Sequence, residues 1–350
     1  MSGPLRIALL GTGQVGRAFI ELLETRADPD LVLVHVANSR AEWRDLEAAP
    51  AQLVIDATAS DGVADRHAAW LARGVHVVTA NKLGQGASLA RWQAIDTART
   101  TSGAHYGDSA TVGAGLPLLR SLRALRRGGD AIDSIAGVLS GSMAWLLSRH
   151  DGAQPFSHLV REARAAGYTE PDPRIDLRGE DVRRKLLILA RAAGIPLDAD
   201  DVRMEAVSTA ALDAATPALL DAALETLDAP MAARLAERPA GERLHLVARW
   251  SRTGGASVAL ECLPSADPLG AGAGTDNRVA IRCARYAAQP LVIQGPGAGA
   301  GITAAALLDD VLAIRDASRE VTRAVQPAAI SARTVVSAKN ESIAWGRLIA

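Results

Sequence analysis

The sequence predicts an α/β fold in which a doubly wound parallel sheet is followed by an α+β domain with a mainly antiparallel sheet. Three observations lead to this fold class. The first third of the chain alternates apolar runs, typical of buried parallel strands, with helical patterns. The first run leads directly into a glycine-rich turn. From about residue 244, short runs separated by turn residues indicate antiparallel strands. We place the first domain at residues 1–135, the second at 136–300, and at 301–350 a helix that returns to the first domain plus a tail.

The glycine-rich turn is the first candidate binding site. It follows the apolar run from Leu5 to Leu10 and precedes a helical pattern. In this strand–turn–helix context, glycines let a pyrophosphate approach the backbone N–H groups at the start of the helix. A purely structural glycine turn is the alternative. The sequence therefore predicts a Rossmann-type dinucleotide site at Gly11, Gly13, Gln14, Val15 and Gly16.

The end of the second apolar run, Leu31 to Ala37, bears on the choice of cofactor. An NAD-selective site usually has an acidic residue here that accepts the ribose 2′-hydroxyl. This sequence instead has Ser39 and Arg40, whose hydroxyl and guanidinium can hold a 2′-phosphate. We therefore predict NADP(H) as the preferred cofactor and NAD(H) as the second choice.

Two further apolar runs, Leu53 to Ala57 and Val75 to Thr79, each end in polar residues. Ligands of open parallel sheets collect at the carboxyl ends of strands. Lys82 follows the second of these runs, so we expect it to face the nicotinamide end of the cofactor. A solvated loop lysine is the alternative.

The segment from Gly167 to Lys185 is where we expect the chemistry. Its two prolines, at 171 and 173, restrict the residues before them to extended geometry, which predicts a rigid loop over residues 170–173. After this loop, apolar residues at helical spacing predict a helix on which Asp181 and Lys185 lie four residues apart on one side. An amine beside carboxylates can bind an ammonium group and exchange a proton. A surface ion pair is the alternative. The loop adds the acids Glu170, Asp172 and Asp176.

Lysine is rare in this chain. Only three of its 38 basic residues are lysine, at positions 82, 185 and 339. Because arginine cannot lose its proton near neutral pH and lysine can, a lysine in such a background suggests a need for a titratable amine.

Later segments add one more candidate. A strand from Ile132 to Leu139 leads through Ser140, Gly141 and Ser142 into a helix, so free N–H groups around Ser142 can receive a substrate carboxylate. A simple capped helix explains the pattern equally well. Residues 200–240 are predicted to be helical.

Composition limits the class of partner. The net charge of -1 provides no field for nucleic acid or a membrane, so we expect a small-molecule substrate. The two cysteines, Cys262 and Cys283, stand at no metal-ligand spacing and are expected to be buried. The glycine turn begins by residue 11 and no apolar run spans a bilayer, so we expect a cytoplasmic protein.

Taken together, these motifs resemble the homoserine dehydrogenases over about residues 5–314. The likeness is closest to the dehydrogenase halves of bifunctional aspartokinase–homoserine dehydrogenases, and without a kinase segment we expect a monofunctional enzyme. It rests on six stretches: residues 11–16, 80–82, 112–117, 139–142, 167–174 with 181–185, and 295–303.

The resemblance implies reversible NAD(P)H-dependent reduction of L-aspartate 4-semialdehyde to L-homoserine, in threonine and methionine biosynthesis. It implies that Lys185 is the acid/base residue and that Glu170 and Asp181 hold the substrate amino group. Lys82 would lie near both the nicotinamide and the reacting oxygen. The resemblance also places four residues against the cofactor: Val15, Thr58, Gly167 and Gly299.

The resemblance further implies a homodimer and a monovalent cation, Na⁺ or K⁺, on the backbone carbonyls of Val112, Ala114 and Leu116. Relatives add an acidic side chain three residues before the valine, where this sequence has Ser109 and carries Asp108 one residue earlier. The rival functions are another NAD(P)-dependent amino-acid or semialdehyde dehydrogenase and a non-catalytic NADPH-binding sensor.

Overall fold

In the computed structural model, which describes residues 3–38, 50–271 and 274–325, five strands form a parallel sheet in the order β2-β1-β3-β4-β5. The chain leaves β1 in opposite directions toward β2 and β3, and such a switch point is where open α/β sheets bind ligands. The strands are β1 (Leu5–Leu10), β2 (Leu31–Ala37), β3 (Leu53–Asp56), β4 (His76–Thr79) and β5 (Tyr106–Gly107).

Helices cover both faces of this sheet, which confirms the predicted doubly wound domain. The helices that follow its strands are α1 (Gln14–Arg26), α2 (Asp61–Ala64), α3 (His67–Ala72), α4 (Leu83–Gly86), α5 (Leu89–Ser102) and α6 (Leu118–Arg127). One face packs on Phe19 of α1 and Leu307 of the last helix, and the other packs on Trp70 and Ile95. The central strands β1, β3 and β4 are mainly apolar because both of their sides are buried, whereas Val32 and Val36 of the edge strand β2 are exposed.

A second sheet of six strands has the order β11-β10-β6-β8-β9-β7. Its pairs are antiparallel except for β7 with β9, so the prediction of a mainly antiparallel sheet is confirmed. Residue 135, the predicted end of the first domain, lies inside strand β6. This strand pairs only within the second sheet. The strands are β6 (Ile132–Val138), β7 (Val202–Met204), β8 (Glu242–Ser251), β9 (Gly255–Pro264), β10 (Asn277–Cys283) and β11 (Leu291–Gly295).

The prediction of helix throughout residues 200–240 is wrong at Val202–Met204, which forms the edge strand β7. Three residues are too few to show a periodicity, and the strand exists because it pairs with Ala256 to Val258 of β9. Tertiary pairing therefore decides the local structure here.

The remaining helices pack on the second sheet or return to the first. They are α7 (Gly141–Arg149), α8 (Phe156–Ala165), α9 (Arg174–Leu177), α10 (Glu180–Ala192), α11 (Ala210–Ala214), α12 (Leu220–Ala223), α13 (Asp228–Ala236) and α14 (Ala300–Val325). Helix α14 packs against α1 and joins the core of the first domain. None of the helices within the described ranges combines the length and apolar character that crossing a bilayer requires.

Candidate active site

The turn between β1 and α1 has the geometry of a phosphate cradle. Gly11 has φ +98°, and a Cβ there would lie 2.7 Å from the carbonyl oxygen of Ala57, while a Cβ on Gly16 would overlap the carbonyl of Gly11. At Gly13, by contrast, a Cβ would meet no atom within 4 Å. Two glycines therefore permit the tight turn, and the third leaves open space at the N-terminus of α1, as a bound pyrophosphate requires.

The loops after β3 and β4 are joined through the fully buried carboxylate of Asp56. This carboxylate accepts hydrogen bonds from the hydroxyl of Thr58 at 2.6 Å and the side-chain amide of Asn81 at 2.9 Å. It also lies 3.0 Å from His67, whose other ring nitrogen lies 3.0 Å from the Tyr106 hydroxyl. The network fixes Thr58 beside Gly11 and holds the residue before Lys82. The sequence analysis did not predict this hydrogen-bond network. The signal for it in the sequence was an aspartate at the end of an otherwise apolar strand.

Lys82 stands immediately before α4, where the side chain of Asn81 accepts a hydrogen bond from the N–H of Leu83 at 3.0 Å. Its ammonium group lies 3.3 Å from a carboxylate oxygen of Asp181 on helix α10. The structure therefore joins two of the predicted site residues from opposite domains.

Lys185 lies on the inner side of α10 and is buried, with 8% of its surface exposed. Its ammonium group contacts the second carboxylate oxygen of Asp181 at 2.8 Å and donates a hydrogen bond to the carbonyl of Leu139 at 2.7 Å. Burial by itself raises the pKa of the Asp181 carboxyl, but the positive charges of Lys185 and Lys82 outweigh it and hold that pKa well below its usual range. Lys185 is therefore not part of an exposed surface ion pair, which was the alternative prediction.

The close packing of α4 against α10 allows Lys82 to reach Asp181. A Cβ on Gly86 of α4 would lie 3.0 Å from the backbone oxygen of Arg184 on α10. A larger residue at position 86 would push α4, and Lys82 with it, away from Asp181.

The three acidic side chains of the proline-containing loop differ in whether they have a partner among the described residues. Asp176 accepts a hydrogen bond from the N–H of Glu170 at 2.9 Å, and Asp172 pairs with Arg174 at 2.6 Å. Glu170 is exposed and forms no ion pair with any described residue. Of the three predicted carboxylates, Asp176 and Asp172 brace the loop, whereas Glu170 remains available to a ligand. The short helix α9 within this segment was not predicted, because four residues show no helical period.

Ser142 lies in the first turn of α7. It is three residues beyond Leu139, whose carbonyl accepts a hydrogen bond from Lys185. The Ser140 hydroxyl caps this helix by accepting a hydrogen bond from the N–H of Met143 at 3.2 Å. The capped helix is therefore present, and the cap leaves the preceding N–H groups of Gly141 and Ser142 without an acceptor inside the helix.

Two further predicted cofactor residues lie beside helix ends. Gly167 ends α8 with φ +74°, and Gly299 precedes α14 with φ +131°. Ser39 and Arg40, the predicted 2′-phosphate site, lie outside the described residues.

Beside the turn predicted to hold a cation, at Val112, Ala114 and Leu116, the carboxylates of Asp108, Asp309 and Asp310 each have a partner among the described residues. Asp108 is fully buried and pairs with Arg123 through both oxygens at 2.6 Å. The Ser109 hydroxyl donates to Asp310 of α14 at 2.8 Å, and the Leu116 carbonyl already accepts the N–H of Leu118 at 2.8 Å. Within the described ranges, no group of three or more His, Cys, Asp or Glu residues is arranged around a metal. The donor set does not fit a cation that needs an acidic ligand.

Two family models match this chain. One, described as "Homoserine dehydrogenase, NAD binding domain", covers residues 11–107, and the other, described as "Homoserine dehydrogenase", covers residues 117–312. Between them they include the glycine turn, Lys82 and Lys185.

Individual proteins are also similar to this chain over most of its length. The chain is 30% identical to a homoserine dehydrogenase from Saccharomyces cerevisiae, over 89% of this chain and 98% of that protein. It is 41% identical to a bifunctional aspartokinase/homoserine dehydrogenase 2 from Escherichia coli over 74% of this chain, but it spans only 32% of that relative's length. A solved structure of a protein of unknown function from Candida auris superposes with a TM-score of 0.80 at 30% identity, covering 90% of this chain and 99% of that one.

Proposed function

This chain belongs to the homoserine dehydrogenase family, and on that premise we propose that it catalyses the reversible, NAD(P)H-dependent reduction of L-aspartate 4-semialdehyde to L-homoserine. The reaction would place it in threonine and methionine biosynthesis. The observation that carries the proposal is the buried ammonium group of Lys185, held by Asp181 and the Leu139 carbonyl at the junction of the two domains.

We propose Lys185 as the acid/base residue because of its donor count. An ammonium group has three N–H donors, and two of them point to Asp181 and to the Leu139 carbonyl. No described residue accepts the third, which we propose donates to a substrate oxygen. In the reducing direction Lys185 donates this proton to the aldehyde oxygen, and in the oxidising direction the neutral amine removes it from the hydroxyl. The nicotinamide cofactor, when bound, supplies or accepts the hydride.

Substrate recognition is proposed to use Glu170, Asp181 and the start of α7. The exposed carboxylate of Glu170 and the remaining acceptor sites of Asp181 suit the substrate ammonium group. The N–H groups at the start of α7, at Gly141 and Ser142, suit its carboxylate. Asp176 contributes by bracing the loop that carries Glu170.

For the cofactor, the open space at Gly13 supports a dinucleotide on the β1–α1 turn, with Lys82 and Thr58 toward its nicotinamide end. We propose NADP(H) as the preferred form and NAD(H) as the second. This preference rests on Ser39 and Arg40 in the sequence. Comparing kcat/KM for NADP⁺ and NAD⁺ before and after Arg40→Asp tests it, since the substitution should reverse the preference.

We also propose a homodimer that binds only small molecules as ligands. Among the described strands, none pairs with the outer edge of β11, and Val292 of that strand is 39% exposed. An edge strand with exposed apolar residues favours association with another sheet. Light scattering should give twice the mass of one chain, and the mass of one chain would contradict the proposal.

The deciding experiment is spectrophotometric. We expect homoserine to support reduction of NADP⁺ by the purified chain, and aspartate 4-semialdehyde to support the reverse reaction. Turnover of other amino-acid alcohols with no turnover of homoserine would favour another dehydrogenase. Cofactor binding without turnover would favour a sensor. A phosphorylating semialdehyde dehydrogenase needs a reactive cysteine, whereas Cys283 is buried and burial raises the pKa of the Cys262 thiol.

A further inference from the structure

A cavity of about 200 Å³ lies between helices α5, α6 and the last turns of α10, away from the proposed active site. On α10 it begins six residues beyond Lys185, about 9 Å along the helix axis. Trp92 and Gln85 form part of its wall. Five arginines line the cavity: Arg99, Arg123, Arg126, Arg127 and Arg191.

Three of these five arginines form no ion pair with a residue in the described ranges. Two of the five arginines are neutralised, Arg99 by Asp96 and Arg123 by Asp108. The other three, Arg126, Arg127 and Arg191, form no ion pair with any residue that the structure describes. Like charges that converge on one concave surface raise the local concentration of anions.

Arg191 makes the strongest case, because it is 2% exposed. Its guanidinium donates hydrogen bonds to the backbone carbonyls of Gln85, Ala87 and Leu197. These carbonyls satisfy its donors without cancelling its charge. Burial lowers the pKa of this guanidinium to about 10, which shows that its environment disfavours the charge. A nearby anion would reverse that effect.

We propose that this cavity binds a small phosphate-bearing anion. Guanidinium groups bind phosphate oxygens in bidentate pairs, which Arg126 and Arg127 can form, while Arg191, whose donors are bonded to carbonyls, contributes its positive charge. The cavity is below the usual size of a site for a drug-sized ligand, so a whole dinucleotide does not fit. The phosphate can be inorganic or belong to a small organic ester.

The site is joined to the active site through two helices. Arg191 holds the carbonyls of Gln85 and Ala87 at the end of α4, and the residue before α4 is Lys82. Arg191 itself shares α10 with Lys185. An anion drawn to Arg191 therefore fixes the junction between the helices that carry both lysines, and ligand binding should raise the thermal midpoint of the chain.

Isothermal titration of the full chain with inorganic pyrophosphate, and separately with glycerol 1-phosphate, tests the proposal. We expect one site per chain, and the tighter of the two ligands identifies the source of the phosphate. The double variant Arg126→Gln/Arg127→Gln should bind at least about tenfold more weakly. The matched control is Arg203→Gln, an exposed arginine on β7 with no ion pair to a described residue.

The outcome is separable from that of the proposed function. Binding should persist at saturating NADPH, since the cavity is distinct from the β1–α1 turn, and it does not require catalysis. Both replaced arginines are exposed, so the ligand-free thermal midpoint of the double variant should match that of the wild type. The proposal is overturned by absence of binding, by equal binding to the double variant, or by displacement of pyrophosphate by NADPH.

Discussion

Helix α10 carries two buried cations whose surroundings differ. Lys185, in its second turn, contacts a carboxylate and one carbonyl. Arg191, in its last turns, contacts carbonyls of three residues and no carboxylate among the described residues. One helix thus presents an amine paired with a carboxylate near its start and, near its end, a guanidinium that forms no ion pair with a described residue.

The difference shows how the same charge can serve two purposes. Asp181 holds the amine of Lys185 in place, and an amine, unlike a guanidinium, is a group that can exchange a proton during a reaction. The guanidinium of Arg191 donates only to backbone carbonyls among the described residues, so its proposed roles are to join backbone segments and to attract anions. The sequence keeps a lysine where exchange is proposed and an arginine where a permanent charge suffices.

The largest expected effect comes from removing the amine. Lys185→Met should lower kcat for homoserine oxidation about a thousandfold, because general acid–base catalysis is lost. Affinity for NADPH, measured by fluorescence titration, should be almost unchanged. Lys185→Arg should be equally inactive because its charge is permanent. The neighbouring Arg184→Gln serves as the control, and recovery of turnover in Lys185→Arg would show that charge alone is sufficient.

Arg191→Met should affect stability, whereas the Lys185 variants affect turnover. It leaves the carbonyls of Gln85, Ala87 and Leu197 without donors, which we expect to lower the free energy of unfolding by about 3 kcal/mol. Urea denaturation measures this, with Arg203→Met as the exposed control. If Arg191→Met retains wild-type stability, its hydrogen bonds do not join the helices as described.

The smallest effect is expected for Asp181→Asn, because this carboxylate is 40% exposed. Removing it leaves two facing ammonium groups, and the free energy of unfolding at pH 7 should fall by about 1 kcal/mol. Since the pKa of Asp181 is lowered in the folded protein, its stabilisation is complete above the unfolded value of about 3.9 and is lost as pH falls further. The difference between wild type and variant should therefore shrink below about pH 4. A difference that is constant from pH 7 to pH 3 would contradict this assignment.

The part of the site that depends on local spacing could be predicted from the sequence. Asp181 and Lys185 are four residues apart on a helix, and the structure pairs them. The glycine turn was equally readable, because the positive φ of Gly11 and the close contact of Gly16 with the Gly11 carbonyl both arise within one strand–turn–helix unit.

Contacts between distant segments could not be predicted in this way. The approach of Lys82 to Asp181 depends on how closely α4 packs against α10 at Gly86. The bonds from Arg191 to Gln85 join residues 106 positions apart. Likewise, no spacing rule shows that Asp176 is occupied by the N–H of Glu170. The spacing of apolar residues predicts which side of a helix is buried. Which other element packs against that side depends on the tertiary structure.

Chemical rescue tests the central claim most directly. Lys185→Ala leaves a space beside Asp181 and the Leu139 carbonyl that a small primary amine can enter. Addition of methylamine should raise the rate of NADP⁺ reduction by this variant with homoserine, in proportion to the concentration of neutral amine. The wild-type rate should not change. If methylamine fails to raise the rate, or if Lys185→Ala turns over as fast as the wild type, then Lys185 is not the residue that transfers the proton.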